Sequence, residues 1–90
     1  MSQLIDAVDA LLTRSVELPE PSVRGALRRA DGLTQEQVAH ALGVKRLAVA
    51  RWEAGASEPR APHREAYVRL LASLARKHPS VGKEASAIRP

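Results

Sequence analysis

Leu4, Ile5, Val8, Leu11 and Leu12 recur at i, i+1, i+4, i+7 and i+8, the spacing of one helix face. They predict an amphipathic helix over residues 2–14, inside an N-terminal unit of residues 1–16, with Ser2 as its N-cap. Pro19 and Pro21 then interrupt: each lacks a backbone N–H and biases the residue before it to extended backbone. Residues 17–21 read as a linker.

A second helix is expected after it, capped by Ser22. Val23, Leu27 and Ala30 form its inner face, and Arg24, Arg28 and Arg29 project from its other faces. Asp31-Gly32 stops it, with Gly32 suited to left-handed backbone. "TQEQ", beginning at Thr34, predicts a capping box in which the Thr34 hydroxyl accepts from the Gln37 amide and Gln37 reaches back. Val38, Ala39 and Leu42 face inward on the short helix that follows, and Gly43 ends it. Another helix starts near Lys45, turns Ala48, Val49 and Trp52 inward, and ends at Gly55. "ASEPRAP" is a loop, and Pro62 is acceptable in a first helical turn. Ala66, Tyr67, Leu70, Leu71 and Leu74 repeat at helical spacing to Lys77, where basic residues suit a helix C-terminus. His78-Pro79 stops that helix. Residues 79–90 carry no period and are expected to be a flexible tail.

The composition agrees. The 90-residue chain is 44% hydrophobic but only 2% aromatic, so its core must be aliphatic, which favours closely packed helices over a β-sandwich. The expected fold is all-α, a bundle of about five helices, with the bundle proper over residues 22–78. Cysteine is absent, which excludes disulfides and thiolate metal sites and suits a reducing cytoplasm. No apolar run reaches the ~18–20 residues that a membrane span needs. The acidic start "MSQLIDAVDALL" lacks the features of a signal peptide.

Charge adds an asymmetry. Residues 1–21 carry Arg14 against Asp6, Asp9, Glu17 and Glu20, a net −3, so the chain after Pro21 carries +7 of an overall +4. A polyanion is one natural partner for such a surface; a merely soluble basic protein explains the charge equally well.

Two short helices joined at Gly43-Val44 are too closely connected to lie antiparallel. A tight glycine-containing turn sets them at roughly 90–120°, a helix-turn-helix, in which the second helix enters the major groove of DNA. Its outer face carries Lys45, Arg46, Leu47, Ala50 and Arg51. Arginine can donate twice to guanine, and leucine can pack on a thymine methyl. Ala50 is small enough for close approach. Trp52 is expected in the core, pinning this helix from behind.

The run "LTQEQVAHALGVKRLAVARWEAGASEP" resembles the helix-turn-helix of Cro/CI-type proteins, the XRE family, which are lambda-repressor-like. The resemblance covers residues 23–59. It joins "GLTQEQVA", "LGV", "RWEAG" and "EP" in the family's order, which is more specific than helix–glycine–helix alone. It implies base contacts from Arg46, Leu47 and Arg51. It implies phosphate contacts from Thr34, Gln35, Lys45, Ser57 and Arg60. Arg28 and Glu53 match a pair that bridges the family's first helix and the end of the recognition helix, so Arg28, Trp52 and Glu53 are structural supports. One longer helix after Pro62 replaces the family's two short ones. The N-terminal helix has no family counterpart; its stripe of Leu4, Ile5, Val8, Leu11 and Leu12 either completes the core or binds a partner.

His40, His63 and His78 lack metal-ligand spacing, and no catalytic set or phosphate loop is present. A non-enzyme without cofactor or metal is expected. The reading is a cytoplasmic, nucleoid-associated transcription regulator, a repressor type, binding an inverted repeat of double-stranded DNA as a homodimer. One alternative keeps the domain as the DNA-binding module of a plasmid, phage or replication system, or as an antitoxin with a protein partner. A fragment cut from a longer chain is a further alternative. Another alternative is an adaptor that binds protein alone through the 4–12 stripe.

Overall fold

Pro21 opens the first helix. Its φ is already helical and its missing N–H would have been an orphan there. The computed structural model, which describes residues 18–81, has α1 over Pro21–Ala30 with Glu20 as N-cap. The Glu20 carbonyl accepts from the Val23 and Arg24 amides at 2.9 and 3.1 Å. Ser22 is therefore inside the helix and does not cap it, and the last residue of the expected linker is helical. The expected helix over 2–14, its apolar stripe and residues 82–90 lie outside the described residues.

Helix α2 spans Gln35–Leu42 behind a complete capping box: the Gln37 amide donates to the Thr34 hydroxyl at 3.0 Å, and the Thr34 amide donates to Gln37 Oε1 at 2.8 Å. Gly43 closes it at φ +72°, left-handed backbone that costs a residue with a Cβ. The next helix, α3, covers Arg46–Ala54 with Lys45 as N-cap, and Gly55 ends it in the same conformation. Helix α4 runs without a break over His63–Lys77. No strand occurs among the described residues.

The core draws on all four of the described helices: Leu27 from α1, Val38 and Ala39 from α2, Val49 and Trp52 from α3, and Tyr67, Leu71 and Leu74 from α4. Val23, Leu42, Ala48 and Leu70 sit at its rim. Ala30 and Ala66, expected inward, are exposed; each lies in an end turn of its helix, where the apolar stripe has passed the edge of the core. Residues 79–81 form a further helical turn, with the Val81 amide on the His78 carbonyl at 3.1 Å. Leu18 and Val81 both pack against the core, so packed chain extends past 22 and 78 and into the expected tail.

The largest departure is Arg24, expected outside but only 4% exposed. A second tie lies at the bottom of the bundle. Asp31 Oδ1 lies 2.7 Å from Lys77 Nζ and 2.8 Å from His78 Nε2, joining the end of α1 to the end of α4. The hydrogen bond from Lys77, then that from His78, holds the Asp31 carboxyl below its ordinary value.

Candidate nucleic-acid interface

Helix α3 has two distinct faces. Val49 is fully buried and Trp52 nearly so, and the Trp52 ring meets that of Tyr67 at a centroid distance of 4.9 Å, tilted by 43°. That separation lies within the range of interacting aromatic pairs. On the opposite side Arg46, Leu47 and Arg51 are exposed, as is Lys45 at the N-cap. Leu47 is 51% exposed, the large apolar side chain left open among the described residues. The face from Arg46 to Arg51 is thus cationic and exposed.

A chain of side chains runs from this face into the domain. Arg46 Nη1 donates to Gln35 Oε1 at 3.1 Å, and Gln35 Nε2 donates to Glu53 Oε1 at 3.0 Å. Glu53 accepts from Arg28 at 2.6 Å and 3.0 Å, and Arg28 Nη1 donates to the Leu33 carbonyl at 2.9 Å. Because Glu53 can only accept, it fixes which end of the Gln35 amide faces it. The Gln35 carbonyl is left facing position 46, where only a donor is satisfied. Burial raises the Glu53 carboxyl, but the hydrogen bonds from Arg28 and Gln35 and the Arg28 charge together outweigh it, so the group lies below its ordinary value.

Gly25 makes room for this arrangement. A Cβ there would stand 3.1 Å from Glu53 Oε1 and 3.0 Å from Arg29 Nη1. Behind it the Tyr67 hydroxyl is buried with no hydrogen-bond partner among the described residues. Burial first, then the Glu53 charge, pushes its phenol up to about 12.

The remaining candidates surround that face. Thr34 is exposed at the start of α2 beside Gln35, although its hydroxyl already accepts in the capping box. Ser57 and Arg60 are exposed on the loop that follows Gly55. Arg28 and Glu53 meet directly, and Gln35 and Arg46 join them; Arg51, Ser57 and Arg60 stand outside that network.

Sequence reasoning missed Arg24. Its Nε donates to the Pro19 carbonyl at 2.8 Å, Nη1 to the Trp52 carbonyl at 3.0 Å, and Nη1 and Nη2 to Glu58 at 3.2 and 3.1 Å. A signal was present: Arg24 lies four residues before Arg28, hence on the same helix face. If Arg28 points at Glu53, Arg24 points at chain nearby.

The matched family agrees with this architecture. The Helix-turn-helix family model matches residues 25–74, more than half of the chain. The chain belongs to this family, in its XRE-type, lambda-repressor-like form, a class of DNA-binding proteins. No curated protein and no solved structure matches it.

Proposed function

We propose that this protein is a sequence-specific regulator of transcription that reads the major groove of double-stranded DNA with α3. The observation that carries this reading is the division of α3. Val49 and Trp52 anchor one side in the core, while Arg46, Leu47 and Arg51 stand open on the other. Arg46 and Arg51 donate to guanine edges, and Leu47 packs on a thymine methyl. Thr34, Gln35, Lys45, Ser57 and Arg60 contact phosphates on either side, which supplies affinity and register but no sequence information. The action is non-catalytic: cations displaced from the duplex drive association.

One module of this size buries little DNA surface, so a homodimer on an inverted repeat supplies the specificity a regulator needs. The absence of cysteine suits work in a reducing cytoplasm, on the nucleoid.

Selection of bound duplexes from a random pool tests the reading. Recovered sites should be paired half-sites, with guanine at the positions whose preference disappears in Arg46→Ala or Arg51→Ala. Recovery of no preferred sequence, with binding that still falls steeply with salt, would reduce the protein to a non-specific DNA binder. Absence of any duplex binding would overturn the reading.

A further inference from the structure

Arg24 stands just outside the segment that the family model matches, yet it is the most heavily bonded buried side chain in the domain. Its guanidinium touches three separate pieces of chain: the Pro19 carbonyl before α1, the Trp52 carbonyl in the last turn of α3, and the Glu58 carboxylate in the following loop. We propose that Arg24 is a positioning residue for the loop over residues 55–60, locking it to the end of the recognition helix so that both meet the duplex as one rigid body. This rests on the DNA-binding reading above and extends it to a residue that touches no DNA.

The bonds are suited to that task. Arginine's planar fork fixes an angle as well as a distance when both arms meet one carboxylate. Glu58 closes that fork from the loop, while the shared Nη1 also bonds the α3 carbonyl, so helix end and loop are set against one another through a single atom. The Arg24 side chain is 5% exposed and that of Glu58 54%. An ion pair open to water at one end adds little stability, and a buried one is often no better than apolar packing. What such a pair does supply is one geometry in place of several.

Two neighbours secure the loop at its other points. Pro59, next to Glu58, is buried. At Gly55 an added Cβ would come within 3.2 Å of Pro21 Cγ, so the loop leaves α3 pressed against the start of α1. Ser57 and Arg60 flank the Glu58-Pro59 anchor and remain exposed. A loop held at 55, 58 and 59 presents them in a fixed relation to Arg51, one turn before the helix ends. Released, the loop must be ordered each time it docks, and that cost falls on its phosphate contacts.

The test uses the full chain and a labelled duplex recovered by selection from a random pool. Glu58→Ala opens the fork from its solvent side, and Arg24→Met replaces the buried cation by an apolar chain of similar length. Each should weaken binding roughly tenfold, the order expected for one charged hydrogen bond. The slope of log affinity against log salt should become shallower by about 0.9 for each phosphate that the loop no longer neutralises. Base preference in a repeat selection should be unchanged. Arg60→Ala should matter less in the Glu58→Ala background than alone, a coupling that simple loss of stability does not produce. If Arg24→Met fails to fold, the Glu58→Ala slope and the coupling to Arg60 decide. A wild-type slope in Glu58→Ala, with additive effects at Arg60, overturns the inference while leaving the DNA-binding reading intact. Failure of the wild-type protein to bind any duplex overturns both.

Discussion

Arg28 meets Glu53 fork to fork, with Nε on Oε2 at 2.6 Å and Nη2 on Oε1 at 3.0 Å. The pair joins α1 to the last turn of α3, and both side chains are largely shielded from water. Removing one partner leaves a charge without its counterpart in a site of low polarity. Arg28→Ala should therefore cost about 3 kcal/mol in unfolding free energy, read from urea denaturation. The cost would be well under half of that if the pair behaved as a surface bridge.

Trp52 is expected to be the largest single anchor of α3. Its ring is buried and lies against that of Tyr67 on α4. Trp52→Ala should destabilise the fold by roughly 3–5 kcal/mol, the range for loss of a buried aromatic side chain. A melting temperature equal to the wild type would show that the ring carries no packing.

Arg51 should behave in the opposite way, since it is exposed and outside the buried network. Arg51→Ala should leave the melting curve where it is and cost about 1–3 kcal/mol on a selected duplex, with relaxed preference at one base. Equal weakening on selected and random duplexes would assign Arg51 to phosphate instead.

Gly25 should resist the change that usually helps a helix. Gly→Ala inside a helix typically adds about 0.5–1 kcal/mol. Here the new methyl would press on a Glu53 carboxylate held by Arg28 and Gln35. Gly25→Ala should fail to stabilise the protein, and its DNA affinity should fall along with the displaced Glu53. A gain in unfolding free energy of the ordinary size would mean that the carboxylate moves freely.

Acid should act through Glu53 and Asp31, both held below their ordinary values of 4.5 and 3.8. A carboxyl lowered in the folded state binds fewer protons there than in the unfolded chain. Its contribution is complete above the ordinary value and is lost as pH falls through the folded one. Urea midpoints should hold steady down to the ordinary carboxylate range and drop below it. Asp31→Asn should flatten part of that drop; an unchanged acid profile in Asp31→Asn would remove the Lys77–His78 tie from the account.

Much of this was legible in one dimension because it is decided within a few residues. The Thr34–Gln37 box, the left-handed glycines at 43 and 55, and the apolar faces of α2, α3 and α4 follow from cap chemistry, backbone sterics and periodicity. So does the exposed cationic face of α3, since the side of a helix opposite its apolar stripe faces out. Ser22 looked like a cap because its side chain suits one, but Pro21 beside it needed only its own fixed φ to begin the helix earlier.

What the tertiary structure decided is where buried charge goes. Arg24 reads as one more solvated arginine until Glu58, 34 positions away, and the Trp52 carbonyl are brought beside it. Asp31 reads as a helix stop until His78 arrives from 47 positions away. The direction of the Gln35 amide, and with it the demand for a donor at position 46, exists only because Glu53 stands on its other side. Helical periodicity sorts residues by their affinity for water, so it places a long cation outside by default. Only the packed chain supplies the carboxylates and carbonyls that make its burial favourable.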